Sequence, residues 1–529
     1  MRRRRGPNRF TRAPEDPYAA CETGRRTRCV MLGLKHEIST GGNHRRNTQN
    51  AHSSPMSHPT DQKQRILLLT PPCKHRILRD YYCCTYSKTG YLWQPIDLLV
   101  QSGILGARHE VSVCDAVALA MDPDAALNAA RAFRPTAVFS LIGSLSLDSD
   151  LAFLKELQTS TRAKIIVSGD AVLHSPALFL ETHPWIHAAL LNFTADDIAA
   201  LASDETHKIT DSAFRTGGTV HVRRNLKPRE FRYPLPLHSA FAGKAYNMPY
   251  APAGFATVLT SFGCPFSCAF CNSGAHSIGF SFRDIDNVEE EIRFLHSRGA
   301  RHIFFKDMTF GLDMTRTRRL CRFLIDNCGD MTWHAYTRLD LTDEERLDLY
   351  AQSGCRLLQI GLETADAGTG LHAGKSTDPV RIKEAFRLMK TKGIAAGAHF
   401  ILGLPTARAT GDLKTVALAL RLNPGYASFN VFSPRPGSQF FEAGARGAHA
   451  AFPLKMLVRA AYLAFYLHPL RMLSLFSKRK SPSHIKSLIS IIRYLLFLPD
   501  MKAPCGTNPQ PGENEQARPA RLQKNGPPL

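Results

Sequence analysis

The sequence predicts an α/β protein made of two units in series, a doubly wound parallel sheet followed by an open, partial (β/α)6 barrel of the TIM type. Short, near-continuous apolar runs alternate with helix-like stretches, the pattern of parallel strands covered on both faces. That alternation occurs twice, at 61–205 and 251–445, on either side of a Pro-rich, basic stretch at 206–250. A helical region at 446–500 follows, and the ends, 1–60 and 501–529, lack any sustained apolar period and read as a disordered leader and tail. With 529 residues, 44% of them hydrophobic, the chain has room for about three domains and at least one large core.

In the first unit the strands are Ile66–Leu69, Val111–Cys114, Ala137–Leu141, Ile165–Ser168 and Ala188–Leu191. Helices fall between them at Gln94–Ile104, Pro123–Phe133, Ser149–Gln158 and Pro176–Glu181. This order is that of a flavodoxin-like, doubly wound domain. Such sheets bind ligands at the carboxyl ends of their strands, which here carry Thr70-Pro71-Pro72, Leu141-Ile142-Gly143-Ser144 and Ser168-Gly169-Asp170. No Gly-x-Gly-x-x-Gly turn follows the first strand, so the dinucleotide fingerprint is absent.

The second unit has strands at Ala256–Thr260, His302–Lys306, Thr332–Tyr336, Arg356–Ile360, Ala398–Leu402 and Ser428–Phe432. Asp286-Asn287-Val288-Glu289 and Thr342-Asp343-Glu344-Glu345 fit capping boxes at helix starts. Val288, Ile292 and Leu295 share one face at helical spacing.

The net charge is +22, from 67 Lys and Arg against 45 Asp and Glu. Residues 1–55 hold +8 of it and 455–529 hold +9, which leaves +5 for everything between. A nucleic-acid groove across the core is therefore not indicated. Thirteen cysteines, irregularly spaced apart from one cluster, are too few for a disulfide scaffold in so long a chain. Arg2–Arg5 looks like a signal-peptide n-region, but Gly6-Pro7-Asn8-Arg9 stands where an apolar segment should begin. A reducing cytoplasm is the simplest compartment, and Met56 is an alternative start to Met1. No run of about 18 uncharged apolar residues occurs.

The chemistry is concentrated in Gly263-Cys264-Pro265-Phe266-Ser267-Cys268-Ala269-Phe270-Cys271, just after the first strand of the second unit. Three thiolates in one loop can wrap one corner of an iron–sulfur cube, leaving one iron open to another ligand. Structural zinc would ask for four N or S ligands, usually as paired Cys-x-x-Cys halves, and no second half lies nearby. Cys321, Cys328 and Cys355 fall on or near helices without ligand spacing and read as structural.

Cys-x-x-x-Cys-x-x-Cys with an aromatic before the last cysteine resembles the radical S-adenosylmethionine (radical SAM) enzymes. The resemblance implies that Cys264, Cys268 and Cys271 hold a 4Fe-4S cluster whose open iron is chelated by S-adenosylmethionine. Reductive cleavage then yields a 5′-deoxyadenosyl radical that abstracts hydrogen from unactivated carbon. Phe270 would pack near the adenine. The later strand ends resemble, in the same order, the segments lining the S-adenosylmethionine site. They are Lys306-Asp307-Met308-Thr309-Phe310, Arg338, Gly361-Leu362-Glu363-Thr364, Gly403-Leu404-Pro405 and Ser433-Pro434-Arg435-Pro436-Gly437. All lie where barrel active sites are built. Asp307 and Glu363 are the candidate partners of the amino acid and ribose portions; the plain alternative for each is a helix cap or a surface ion pair.

A doubly wound domain directly before such a barrel resembles the cobalamin-binding subfamily, and Leu67-Leu68-Leu69-Thr70-Pro71-Pro72 is similar to the opening of its corrin domains. Pro71, Gly143, Ser144, Gly169 and Asp170 are then the candidate cobalamin contacts. Two features depart from the pattern. No Asp-x-His-x-x-Gly occurs, so no histidine is marked as a lower cobalt ligand, and Gly169-Asp170 stands where many such domains carry Gly-Gly. The aromatic, thiol-rich Tyr81-Tyr82-Cys83-Cys84-Thr85-Tyr86 and Tyr91-Leu92-Trp93 have two readings, a roof over corrin or substrate and packing between the domains.

At the carboxyl end, Leu454–Phe476 carries Lys455, Arg459, His468 and Arg471 and reads as a helical cap on the barrel or an interfacial helix. Ile485–Leu498 sets Lys486 and Arg493 beside Leu488, Ile489, Ile492 and Leu495, a basic amphipathic pattern suited to peripheral contact with anionic lipid. The expectation is a cytoplasmic radical SAM enzyme, membrane-associated if that helix lies on lipid. By resemblance it is a cobalamin-dependent methyltransferase acting on an unactivated carbon of a small molecule, with lipidic substrates among the candidates. An electron donor such as flavodoxin or ferredoxin would reduce it. The alternatives are an RNA-modifying radical SAM enzyme, a non-methylating radical cyclase or rearrangement enzyme, and a non-catalytic scaffold with a decayed site.

Overall fold

The computed structural model describes residues 63–468, apart from 83, 88–89, 228–229, 249–250, 252–253, 275–277, 376–377 and 449–450. The expected leader 1–60, the helix Ile485–Leu498, the tail 501–529 and Cys83 lie outside the described residues.

The chain enters on β1 (Arg65–Thr70) and a short hairpin, β2 (Ile77–Arg79) and β3 (Cys84–Tyr86). Then follow β4 (Glu110–Asp115), β5 (Ala137–Leu141), β6 (Lys164–Ser168) and β7 (Ala188–Leu190). The long strands pair in parallel in the order β4-β1-β5-β6-β7, the 2-1-3-4-5 arrangement of the flavodoxin-like fold. Ile66–Leu69 are all but inaccessible to water, as expected for a central strand covered on both faces by helices. Helix Pro123–Phe133 has the ends its sequence asks for. Asp122 caps it by accepting from the Ala125 amide at 2.7 Å, and Pro123 opens the first turn.

The expected linker 206–250 is not featureless. β8 (Ser212–Thr216) and β9 (Thr219–Val222) form an antiparallel hairpin that extends the first sheet beyond β7. The buried Asp197 carboxylate fixes the entry to β8, accepting from the amides of Thr210 and Asp211 and the hydroxyl of Ser212. Strands this short, one of them largely exposed, leave little apolar pattern to read.

A small sheet of β10 (Glu230–Phe231), β12 (Ser261–Gly263) and β13 (Phe280–Arg283) then frames the cysteine loop. The barrel strands are β11 (Ala256–Val258), β14 (His302–Phe305), β15 (Thr332–Thr337), β16 (Cys355–Glu363), β17 (Ala395–Leu402) and β18 (Tyr426–Val431). All six pair in parallel in chain order, an open partial barrel. Alternation sorts their side chains. Ile303, Phe305, Trp333, Ala335, Leu358, Ile360, Phe400 and Phe429 share the outer core under the helices. The intervening Phe304, Lys306, His334, Tyr336, Gln359, Glu363 and His399 therefore face the lumen.

Two capping assignments shift. Helix Ile285–Ser297 is capped by Asp284, which accepts from the Asn287 amide, and Asp286 lies within its first turn. Helix Glu344–Gln352 is capped by Asp343, while the Thr342 hydroxyl donates to the Leu339 carbonyl. In both, a neighbouring aspartate with extended or near-extended backbone outcompetes the residue the four-letter pattern selects. Val288, Ile292 and Leu295 are buried on one face as expected.

Helix Ala451–Tyr466 covers the far side of the barrel, with Leu454, Tyr462 and Phe465 buried and the Tyr466 hydroxyl donating to the Ala427 carbonyl at 2.9 Å. Among the described residues no helix is long and apolar enough to cross a membrane.

The carboxyl ends of the two large sheets meet. Lys306, just past β14, pairs with Asp80 of the β2–β3 hairpin at 3.1 Å, and Trp93 packs on Phe304. The loop after β18 approaches the loop after β6 so closely that a Cβ on Gly437 would sit 1.9 Å from His174 Nδ1.

Candidate active site

The cysteine loop leaves β12 at Gly263, whose φ of +74° and place 2.1 Å (from an added Cβ) against the Gly279 carbonyl admit only glycine. Three separate elements pin the loop. Gly263 N donates to Tyr82 Oη at 3.1 Å, Ala269 N to the Ala373 carbonyl at 3.1 Å, and Phe440 N to the Ala269 carbonyl at 2.9 Å. A turn inside it, Cys271 N to the Cys268 carbonyl at 3.0 Å, sets the spacing of the last two cysteines.

Each sulfur has its own neighbour. Cys264 Sγ lies 3.5 Å from Thr309 Oγ1, Cys268 Sγ accepts from Arg338 at 3.5 Å, and Cys271 Sγ accepts from the Ser273 amide at 3.4 Å. Burial, reinforced by the other two sulfurs, pushes the Cys271 thiol up to about 11. Such a thiol is deprotonated by binding metal. Among the described residues no three His, Cys, Asp or Glu side chains converge on one metal-ion position. Three cysteines in one short loop suit a multi-iron cluster, one sulfur per iron, better than structural zinc, which takes four N or S ligands.

Two cations flank the loop. Arg338 stacks over Phe266 at 3.7 Å and is held by Asp340 through contacts of 2.9, 3.2 and 2.9 Å. Lys375 lies 3.4 Å from Glu363 and donates to the Gly361 carbonyl at 3.2 Å. Glu363 follows a bulge in β16 and has a φ of +62°, a strained conformation for a residue with a Cβ. Burial raises its carboxyl, and Lys375 counters this. Phe270 and Ile401 lie at the rim of a small apolar cluster of Ala269, Ala373, Leu404, Phe432 and Phe440.

Two expected ligand contacts are occupied by the protein itself. Asp307 accepts from the amides of Thr260 and Ser261 at 2.7 and 3.2 Å and from the Thr260 hydroxyl. It braces the chain entering the cysteine loop, and burial pushes its carboxyl up to about 6. Gly403 donates its amide to the Asp412 carboxylate at 3.1 Å, and Leu454 of the C-terminal helix fills the space beside its Cα. Both lie at strand ends as read, yet these groups face protein partners.

On the first domain, Pro71, Gly143, Ser144, Gly169 and Asp170 form one platform. Asp170 accepts from the Ser144 amide and hydroxyl at 2.9 and 2.8 Å and from the Cys84 amide at 2.9 Å. Gly169 has a φ of +119° and passes against the Ile142 carbonyl; Gly143 passes against the Cys84 sulfur. The fully buried Arg79–Asp150 pair, 2.6 Å, ties the Pro71 carbonyl to the Gly143 amide. Ser144 and Asp170 keep partly exposed faces, and burial raises the Asp170 carboxyl against the lowering effect of the Ser144 hydrogen bonds and the Arg435 charge.

Sequence reading missed Lys375, Asp80 and the lumen residues Gln359, His399 and Tyr426. Alternation puts Gln359, between the outward Leu358 and Ile360, on the inner face, so that signal was present. Asp80 and Lys375 needed the tertiary fold. The aromatic hairpin is interdomain packing at Tyr81 and Tyr82, whose rings lie 5.4 and 6.4 Å from Phe262.

The three-cysteine loop thus lies where the carboxyl ends of the two α/β units meet. Residues 258–408 match the radical SAM superfamily. The chain is 25% identical over 443 residues to an uncharacterized methyltransferase of Pyrococcus horikoshii, covering 77% of this chain and 93% of the relative. Two solved structures share the fold. One is the radical S-adenosylmethionine methyltransferase TsrM of Kitasatospora setae, with cobalamin and a 4Fe-4S cluster bound. It has a TM-score of 0.55 and 18% identity over 72% of this chain and 75% of that one. The other is the cobalamin-dependent radical enzyme OxsB with aqua-cobalamin, with a TM-score of 0.57 and 12% identity over 81% and 71%.

Proposed function

We propose that this enzyme methylates an unactivated carbon of a small molecule in a cobalamin-dependent radical SAM reaction. The supporting observation is geometric: the ligand-binding ends of both sheets open onto one interface, where Gly263 beside the first cysteine bonds to Tyr82 of the first domain. When bound, the cluster supplies the electron that cleaves S-adenosylmethionine, and cobalamin supplies methyl-carrying chemistry.

The chain's own residues supply position and charge. Cys264, Cys268 and Cys271 would hold the cluster, with Arg338 and Lys375 offsetting its negative charge. Glu363, facing inward beside Lys375, is placed to accept from the amine or ribose of S-adenosylmethionine, and Phe270 offers an apolar face to the adenine. Ser144 and Asp170 present the polar edge of the first-domain platform to the corrin, with Gly143 and Gly169 keeping that edge low. A one-electron donor of the flavodoxin or ferredoxin class would supply the reductant.

The test is anaerobic purification with cobalamin supplied, followed by iron, cobalt and 5′-deoxyadenosine analysis. Iron and 5′-deoxyadenosine with stoichiometric cobalt support the proposal. Iron without cobalt removes the methylation mechanism and leaves the radical SAM assignment standing.

A further inference from the structure

The barrel lumen holds a polar group that the cluster and cofactor assignments leave unused. Gln359, on β16, is 1% exposed. Its Oε1 accepts from the Tyr426 hydroxyl and lies 3.3 Å from His399 Nε2, which is itself 3.0 Å from Tyr426 Oη. With the tyrosine proton directed at Gln359, the shared contact assigns the proton on His399 Nε2 to Tyr426 Oη. The amide oxygen is thus fixed from two strands, β17 and β18.

Its nitrogen is not satisfied. Gln359 Nε2 is buried and has no hydrogen-bond acceptor among the described residues. A buried amide left so costs about 1–3 kcal/mol, so it calls for a partner, an ordered water or a bound molecule. The chain also spends side-chain volume to keep this geometry. Gly397 on β17 has no Cβ because one would lie 2.4 Å from the Tyr426 ring, so the tyrosine lies across the strand and reaches Gln359.

The surroundings limit the missing acceptor. Tyr336, His399 and Ile401 are only partly buried although they face inward, so the lumen beside Gln359 is not filled. Deeper in the same wall, His302 and His334 are stacked at 5.0 Å. Burial holds the first down to about 4 and the second well below its ordinary value, so both are neutral. Lys306, the cation of that wall, is paired with Asp80. A carboxylate or phosphate entering at this depth would be desolvated against neutral groups, since Lys375 lies further up the strand, on the Gly361 carbonyl and Glu363.

We infer that Gln359, oriented by His399 and Tyr426, is a substrate-recognition residue that donates to a neutral carbonyl oxygen of the substrate, with the lumen taking that substrate's apolar body. This rests on the proposed reaction and adds the substrate class: a small, neutral, carbonyl-bearing molecule with an apolar body, in place of a phospholipid or an anionic metabolite.

The test compares three probes on the reconstituted holoenzyme by saturation-transfer NMR titration: acetophenone, ethylbenzene and benzoate. Acetophenone and ethylbenzene differ mainly in the carbonyl oxygen. Acetophenone should bind about 3- to 10-fold tighter than ethylbenzene, the range of one net hydrogen bond, and tighter than benzoate. That preference should vanish in Gln359→Met and in Gln359→Glu, the second being nearly isosteric and unable to donate when ionised. Equal binding of acetophenone and ethylbenzene, a preference for benzoate, or a preference that survives both substitutions would overturn the inference. The same preparations are assayed for 5′-deoxyadenosine on reduction. A carbonyl preference without 5′-deoxyadenosine rejects the proposed reaction and keeps the site; 5′-deoxyadenosine without the preference does the reverse.

Discussion

Tyr82 Oη accepts the amide hydrogen of Gly263 at 3.1 Å, so a side chain of the first domain holds the residue immediately before Cys264. The two domains are therefore coupled at the cysteine loop itself. Tyr82→Phe keeps the ring packing on Phe193 and Phe262 and leaves a buried N–H without an acceptor. The expected cost is about 1–3 kcal/mol. It should be read as a lower thermal midpoint and faster loss of iron to a chelator, and an unchanged iron off-rate would remove the coupling.

Lys306 and Asp80 are both buried, and the pair crosses the domain interface. Lys306→Met strands a buried carboxylate and should destabilise by about 3–5 kcal/mol. Adding Asp80→Asn should restore most of that loss. Denaturant unfolding of the four proteins of this cycle gives the coupling, and additive single effects would contradict the pairing.

Asp307 titrates against stability in a defined direction. Its folded value, raised to about 6 by burial, exceeds the ordinary 3.8, so the folded state binds the proton more tightly. Its contribution is fully present below about pH 4 and is lost as pH rises to about 6, by about 3 kcal/mol. Asp307→Asn should flatten this part of the pH profile, measured as thermal midpoints of the metal-free protein between those two values.

Cys268→Ala should abolish the brown four-iron chromophore after anaerobic reconstitution. Cys84→Ala, at a thiol that burial pushes up to about 12 beneath the first-domain platform, should leave it intact. A cluster that survives the first change would overturn the ligand assignment.

Much of this architecture was legible because its signals are local. Ala137–Leu141 and Pro123–Phe133 are read to the residue, since an apolar run bounded by turn residues and an Asp-Pro helix start each carry their own boundary. The three-cysteine loop was legible because its residues cluster in sequence. The β8–β9 hairpin was not, being short and half exposed. Asp307 was placed at the right strand end, but its partners Thr260 and Ser261 were not legible, because strand position says where a carboxylate lies and not which donors reach it.

The sequence by itself determined two α/β units, the order of their strands and the three-thiolate loop, all set by periodicity and short-range spacing. Only the tertiary structure decided that the carboxyl ends of both sheets face each other, that Tyr82 and Asp80 reach into the second unit, and that Gln359 is left with an unpaired donor in the lumen. These are contacts between residues as far apart in the chain as Asp80 and Lys306. They depend on how finished elements pack, and no local pattern in the chain encodes that packing.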